Sequence, residues 1–248
     1  LKLDVATMSS SFVKAKALAE HKSHERIQAM FDEIAPVYDF LNRVLSFGLD
    51  WHWRKVALRM AYRLLPPLRP LATLDVATGT GDFALLLRTL PQAGVVGIDL
   101  SEEMLRRARR KVPEARFVRA AAEALPFEDG SFDLVTVGFG ARNFQDLEKG
   151  LSEIRRVLKP RGVAAFLEPM IPKQRTVRRI YLAYFKHILP QIARLFSTSD
   201  FAYQYLPLSV ETFPQGEAFL EKLGRARFSS GWQYALTYET AILYIAQK

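Results

Sequence analysis

An α/β fold with a parallel sheet covered on both faces is what this sequence predicts, and three observations carry the prediction. Short runs rich in β-branched and aromatic residues recur as LATLDVA, GVVGIDL, ARFVRA, SFDLVTVGF and GVAAFLE. Segments with helical spacing of apolar residues lie between them, an alternation that sets crossover helices over parallel strands. The first run passes directly into Gly79-Thr80-Gly81, a glycine turn of the kind that joins a strand to a helix over a bound ligand.

The elements follow in order. Residues 1–65 read as an N-terminal helical region that caps the core, and residues 71–168 carry the five strand-like runs. Phe83 to Leu90 is helical after the glycines. Ser101 can accept from the first turn of a helix running through Lys111, with Glu102 and Glu103 placed to favour its positive end. Leu147, Leu151, Ile154 and Leu158 keep helical spacing until Pro160 stops the run. Residues 169–210 form a helical insertion. The last segment, 211–248, reads as a helix from Pro214 to Leu223 ended by Gly224, then two strands, ARFSSGWQYALT and TAILYIAQ. No repeat, low-complexity tract or linker divides the chain, which reads as one domain.

The 248 residues are 49% hydrophobic and 25% charged, a balance that excludes disorder for most of the chain. With no cysteine there is no disulfide, no thiolate metal site and no cysteine nucleophile, and no metal is expected. No run approaches the roughly 18 consecutive apolar residues of a membrane span, nor does the start resemble a secretory leader, so a cytoplasmic protein is expected. The net charge of +9 is unevenly placed. Between Glu168 and Asp200 there is no acidic residue, while Lys173, Arg175, Arg178, Arg179, Lys186 and Arg194 alternate with Ile180, Tyr181, Tyr184, Phe185, Ile188 and Phe196. Such a segment suits a lid that touches an anionic membrane surface; it is also compatible with an amphipathic helix packed on the sheet. Nucleic acid is the less favoured partner, since no RNA-binding motif accompanies the charge.

A ligand is expected at the carboxyl ends of the strands, over Gly79 and Gly81. GTGDFA matches the relaxed dinucleotide pattern G-x-G-x-x-A, so a nicotinamide or flavin enzyme is one reading. Asp75 before the turn and Asp82 after it would repel a pyrophosphate and attract a cofactor bearing an ammonium and a sulfonium, which favours S-adenosylmethionine. Asp99, at the end of the second strand, can accept from both ribose hydroxyls. At the end of the third, a backbone N–H near Ala122 and the side chain of Glu123 are placed for the adenine.

Two longer stretches carry a resemblance. YDFLNRVLSFGLDWHW (38–53) and RVLKPRGVAAFLE (156–168), with FGARN (139–143) and YLPLSVETFP between and after them, are similar to the signatures of the ubiquinone/menaquinone biosynthesis C-methyltransferases, a family of class I S-adenosylmethionine-dependent enzymes. The similarity spans roughly Phe31 to Thr237. The chain departs from the family pattern at Asp50 (usually His), Ala121 (usually Asn), Arg161 (usually Gly), Pro169-Met170 (usually Phe-Ser) and Tyr244 (near a usual His). The resemblance implies a Rossmann-like seven-stranded sheet with six helices and an antiparallel last strand. It implies cofactor contacts at Thr80, Asp99, Ala121, Ala122 and Gly138, and methylation of a ring carbon on demethylmenaquinol or a related polyprenyl quinol. In such a reaction Arg142 would stabilise the phenolate and Asn143 would orient a hydroxyl or water. A water between them, or His187, would serve as base, and Tyr38 and Asn42 would line the substrate pocket. Trp51 and Trp53 read as core or interface anchors. Methylation of RNA or of another small molecule, and cofactor binding without catalysis, remain as alternatives. The sequence does not fix the oligomeric state.

Overall fold

The computed structural model describes residues 10–66, 70–184, 191 and 200–248. Four helices precede the sheet: α1 (Ser10–Glu20), α2 (His24–Ile34), α3 (Tyr38–Leu45) and α4 (Leu49–Tyr62). Then come β1 (Leu71–Val76), α5 (Asp82–Leu87), β2 (Ala93–Asp99), α6 (Glu102–Lys111), β3 (Arg116–Arg119) and β4 (Phe132–Gly138). A 3-10 turn, Ala141–Asn143, leads to α7 (Leu147–Val157) and β5 (Leu158–Pro169). The insertion contributes α8 (Arg175–Ala183) and α9 (Asp200–Thr212), and α10 (Glu217–Arg225), β6 (Ser230–Leu236) and β7 (Ala241–Gln247) complete the chain.

The seven strands run β3-β2-β1-β4-β5-β7-β6. All neighbours are parallel until β7, which pairs antiparallel with both β5 and β6. Strand order reverses beside β1, whose Val76 pairs with Ile98 on one side and Val137 on the other, so a crevice opens over the ends of β1, β2 and β4.

Strand alternation sorts the core into two layers. Leu74, Val76, Val135, Val137 and Phe166 pack with Leu151 and Ile154 of α7 and Phe219 of α10. Leu134, Val163, Ala165, Leu243 and Ile245 pack with Trp53 and Ala57 of α4, Phe83 and Leu87 of α5, and Leu105 and Ala108 of α6. A third apolar cluster forms a roof above the crevice, where Ala15 and Leu18 of α1, Ile27, Met30 and Ile34 of α2, and Ala202 and Tyr205 of α9 meet Met104 of α6.

Caps behave as their residue types require. Ser101 accepts from Met104 N–H at 3.0 Å to start α6, and Asp146 accepts from Lys149 N–H at 3.0 Å to start α7. Several boundaries differ from expectation. The helix after the glycines ends at Leu87 rather than Leu90. The C-terminal helix starts at Glu217, because Gly216 holds a positive φ of 64° immediately before it, and it runs through Gly224 to Arg225. Pro160 lies within β5, near the point where its register with β4 slips between Phe132 and Leu134. The four N-terminal helices and the insertion raise the helix number above the six implied. Among the described residues no helix is long and apolar enough to cross a membrane. His187, with Phe185, Lys186, Ile188, Arg194 and Phe196, lies outside the described residues.

Candidate active site

Three cavities meet at Tyr38. The first is a cleft over the strand ends, floored by Gly79, Asp99, Ala122 and Gly138 and roofed by Ile27 and Phe31 of α2. Asp99 is fixed within it: one carboxylate oxygen accepts from Gly79 N–H at 2.8 Å and the other from Ser101 N–H at 3.0 Å. Burial raises its pKa, and these backbone bonds oppose the shift. Gly138 lines the cleft and packs directly on the Phe83 ring, which a Cβ there would meet at 2.7 Å. Ala77 and Phe139, just beyond β1 and β4, both adopt left-handed conformations (φ 52° and 60°), a strain typical of chain that turns sharply beside a functional crevice.

The second cavity, about 770 Å³ and mostly apolar, lies between α3, α4 and the helices of the insertion. Tyr38, Asn42 and Trp53 line it from one side and Tyr181, Tyr184 and Tyr205 from the other. Asn42 also hydrogen-bonds the Tyr38 phenol, whose pKa is raised by burial, so the hydroxyl stays a neutral donor. Trp53, expected as a core anchor, is both buried and a cavity wall, and its indole N–H donates to Thr237 Oγ1 at 2.8 Å. Asp50 is accommodated at the rim of this cavity by Arg54 at 2.6 Å, by Arg43, and by the Ser46 hydroxyl at 2.8 Å.

The 3-10 turn after β4 divides its two polar residues. Arg142 borders the large cavity and donates from Nη1 to Glu168 at 3.0 Å and to the Phe139 carbonyl. Asn143 borders the cleft instead, and its Oδ1 accepts from Tyr205 OH at 3.0 Å. The pair thus stands on opposite sides of the wall between the cavities, where Phe31, Tyr38 and Phe139 line both.

The third, smaller cavity is lined by Asp75, Arg54, Thr78, Gly79 and Tyr38. Asp75 accepts from Thr136 Oγ1 at 2.7 Å and Thr78 Oγ1 at 2.5 Å, and burial pushes its pKa up to about 7. Asp82 is different. Burial alone would raise its pKa, but Arg54, Lys111 and Arg43 around it bring it below the usual carboxylate range. Its charge is neutralised by contacts with Lys111 at 2.8 Å and Arg43 at 3.1 Å, so it contributes little to repelling a pyrophosphate.

The remaining expected site residues also take part in the fold around the cavities. Thr80 lines the third cavity, and its hydroxyl donates to Asp39 and accepts from Lys111 at 3.0 Å, joining the ion-pair network under α5. Gly81 packs against α6, where a Cβ would meet Ala108 at 3.2 Å, and with a φ of 88° it begins α5. Ala121 lies beside the cleft while Ala120 and Ala122 form its wall. Glu123 lines the cleft, but its carboxylate receives Asp146 N–H at 3.1 Å and meets His24 Nε2 at 3.2 Å, fastening the roof to the sheet. Sequence reasoning missed both His24 and Glu168 as parts of the site. His24 meets a partner 99 positions away and carries no local signal; Glu168 ends a recognised motif, and its burial beside Arg142 was the missing information.

The sequence model of the ubiE/COQ5 methyltransferase family matches residues 19–248. The chain belongs to that family. It is 52% identical to a demethylmenaquinone methyltransferase of Chlorobaculum tepidum over 97% of this chain and 100% of that one. With the demethylmenaquinone methyltransferase of Thermus thermophilus it shares 46% identity over 88% of this chain and 100% of the relative. The ubiquinone/menaquinone biosynthesis C-methyltransferase UbiE of Geobacter sulfurreducens is 44% identical, covering 90% and 89% of the two chains. Among solved structures, an S-adenosylmethionine-dependent methyltransferase of Thermotoga maritima superposes with a TM-score of 0.59 at 18% identity, over 89% of this chain and 99% of that one. One of Aquifex aeolicus gives 0.56 at 17% identity, over 77% and 88%. These structures support the fold. The enzyme is an S-adenosylmethionine-dependent methyltransferase, and the donor set suits that cofactor. Asp99 at the end of β2 can take a ribose diol, Ile98, Met104 and Ala122 surround it with apolar surface for an adenine, and Asp75 stands at the far end for an ammonium.

Proposed function

We propose that the protein methylates a ring carbon of demethylmenaquinol to give menaquinol, using Asp75, Gly79, Asp99, Ala122, Glu123 and Gly138 around the cofactor. The observation that carries this reading is the shared wall. Because Phe31, Tyr38 and Phe139 line both the cleft and the large apolar cavity, a flat ring in the second would lie against the methyl end of a ligand in the first. S-adenosylmethionine, when bound, supplies an electrophilic methyl on a sulfonium. The protein must then raise electron density at the ring carbon and hold it in line. In this reading Arg142 stabilises the phenolate formed as the neighbouring hydroxyl loses its proton, and Tyr38 and Asn42 present neutral hydrogen-bonding groups to the ring oxygens. Asn143, steadied by Tyr205, orients a water at the seam with Arg142. That water, or His187, accepts the proton, and loss of the ring hydrogen restores aromaticity.

The mouth of the cavity suits a polyprenyl tail at an anionic membrane surface. Phe47, Ile180 and Tyr238 line it while 78%, 67% and 80% exposed, and Lys173, Arg175, Arg178 and Arg179 are exposed on or beside α8.

Incubation with methyl-labelled cofactor and a short-tailed demethylmenaquinone tests the reading. Label should enter the ring only when a reductant maintains the quinol, because the oxidised ring is an electrophile with no donor oxygen to activate the carbon. Equal turnover of quinone and quinol, methyl on oxygen, or methyl on RNA would reject it.

A further inference from the structure

A guanidinium at the wall between the cavities poses an electrostatic difficulty. Arg142 is buried, donates to the carbonyl of Phe139, which lines both cavities, and its charge acts on the Tyr38 phenol at their junction. A fixed cation in that position repels a cofactor whose reacting sulfur is itself positive, and the repulsion is strong because neither charge is well solvated.

Glu168 is built to oppose that charge. It is fully buried at the end of β5, one carboxylate oxygen accepts from Arg142 Nη1 at 3.0 Å, and the other accepts from Ala141 N–H at 2.7 Å. The same group therefore grips both the side chain and the backbone of the turn that carries Arg142. Arg142 Nε is buried without a hydrogen-bond partner among the described residues, leaving a donor unspent beside the cavity.

We propose that Glu168 is the charge-compensating positioning residue of the transfer site: it holds Arg142 against β5 and cancels its field toward the sulfonium, so that the cleft favours the cationic cofactor over its neutral product, S-adenosylhomocysteine. This rests on Arg142 lying beside the methyl-transfer point, as in the function proposed above, but not on the identity of the methyl acceptor.

The test is calorimetric titration of the full chain with S-adenosylmethionine and, separately, with S-adenosylhomocysteine, in the absence of any quinol. In Glu168→Gln, which keeps shape and an acceptor but removes the charge, affinity for the cofactor should fall roughly tenfold while affinity for the product changes less than about twofold. Arg142→Met should move the ratio the other way, toward the cofactor, and it decides the matter if Glu168→Gln does not fold. Equal losses for both ligands in Glu168→Gln would reduce Glu168 to an anchor for the turn. An unchanged ratio in Arg142→Met would show that the guanidinium does not reach the sulfur, and would overturn the proposal. Because no acceptor is present, a wrong substrate assignment leaves these outcomes untouched.

Discussion

Buried beneath the glycine turn, Asp75 has its pKa pushed up to about 7 by burial, against the hydrogen bonds of Thr78 and Thr136. The native state therefore keeps a proton that the unfolded chain releases between about pH 4 and 7, and stability is lost as pH rises through that window. Asp75→Asn removes the ionisation. The ligand-free variant should melt higher than the parent at pH 8 and close to it at pH 4. Its affinity for S-adenosylmethionine should drop about tenfold and lose its dependence on pH between 6 and 8, as calorimetry can measure. Arg161 poses a simpler backbone problem. It occupies a left-handed conformation (φ 64°) at a position where the family usually has glycine. Arg161→Gly should stabilise the protein by about 1 kcal/mol, read as a rise in denaturation midpoint at unchanged slope.

At the scale of elements, α8 combines an exposed basic flank with apolar residues that face the large cavity, among them Val177 and Tyr181. Changing Arg175, Arg178 and Arg179 together to Gln should lower sedimentation with anionic vesicles about tenfold or more, and the difference should shrink as salt rises. Recruitment that ignores lipid charge would leave α8 as a cavity wall alone. The elements also explain what was legible in the sequence. Helices α6 and α7 were readable because Ser101 and the apolar spacing of Leu147, Leu151 and Ile154 are local signals. Strands β1 and β4 were readable as short apolar runs, and Asp99 followed from the position of β2. What escaped was the set of partners. Thr80 and Asp82 border the third cavity, and their side chains also bind Asp39, Lys111 and Arg43, partners 29 to 41 positions away. No spacing rule reports such partners. The helix beginning at Glu217 was misplaced because the positive φ of Gly216 is a tertiary outcome, set where Gly216 N–H donates to the buried Tyr244 hydroxyl oxygen at 2.7 Å.

For the molecule as a whole, the two cavities share a roof as well as a wall. Helix α2 supplies Phe31 to both, and α2 packs with α1 and α9 in a single apolar cluster that also holds Tyr205, the partner of Asn143. The roof is also assembled from segments far apart in the chain. During synthesis, the first of the described helices to leave the ribosome finds its packing partner only after residues 200–212 have been made. The apolar side of α1 therefore waits, uncovered, while the sheet forms, and a nascent chain stalled before α9 would expose a sticky surface for chaperones to shield.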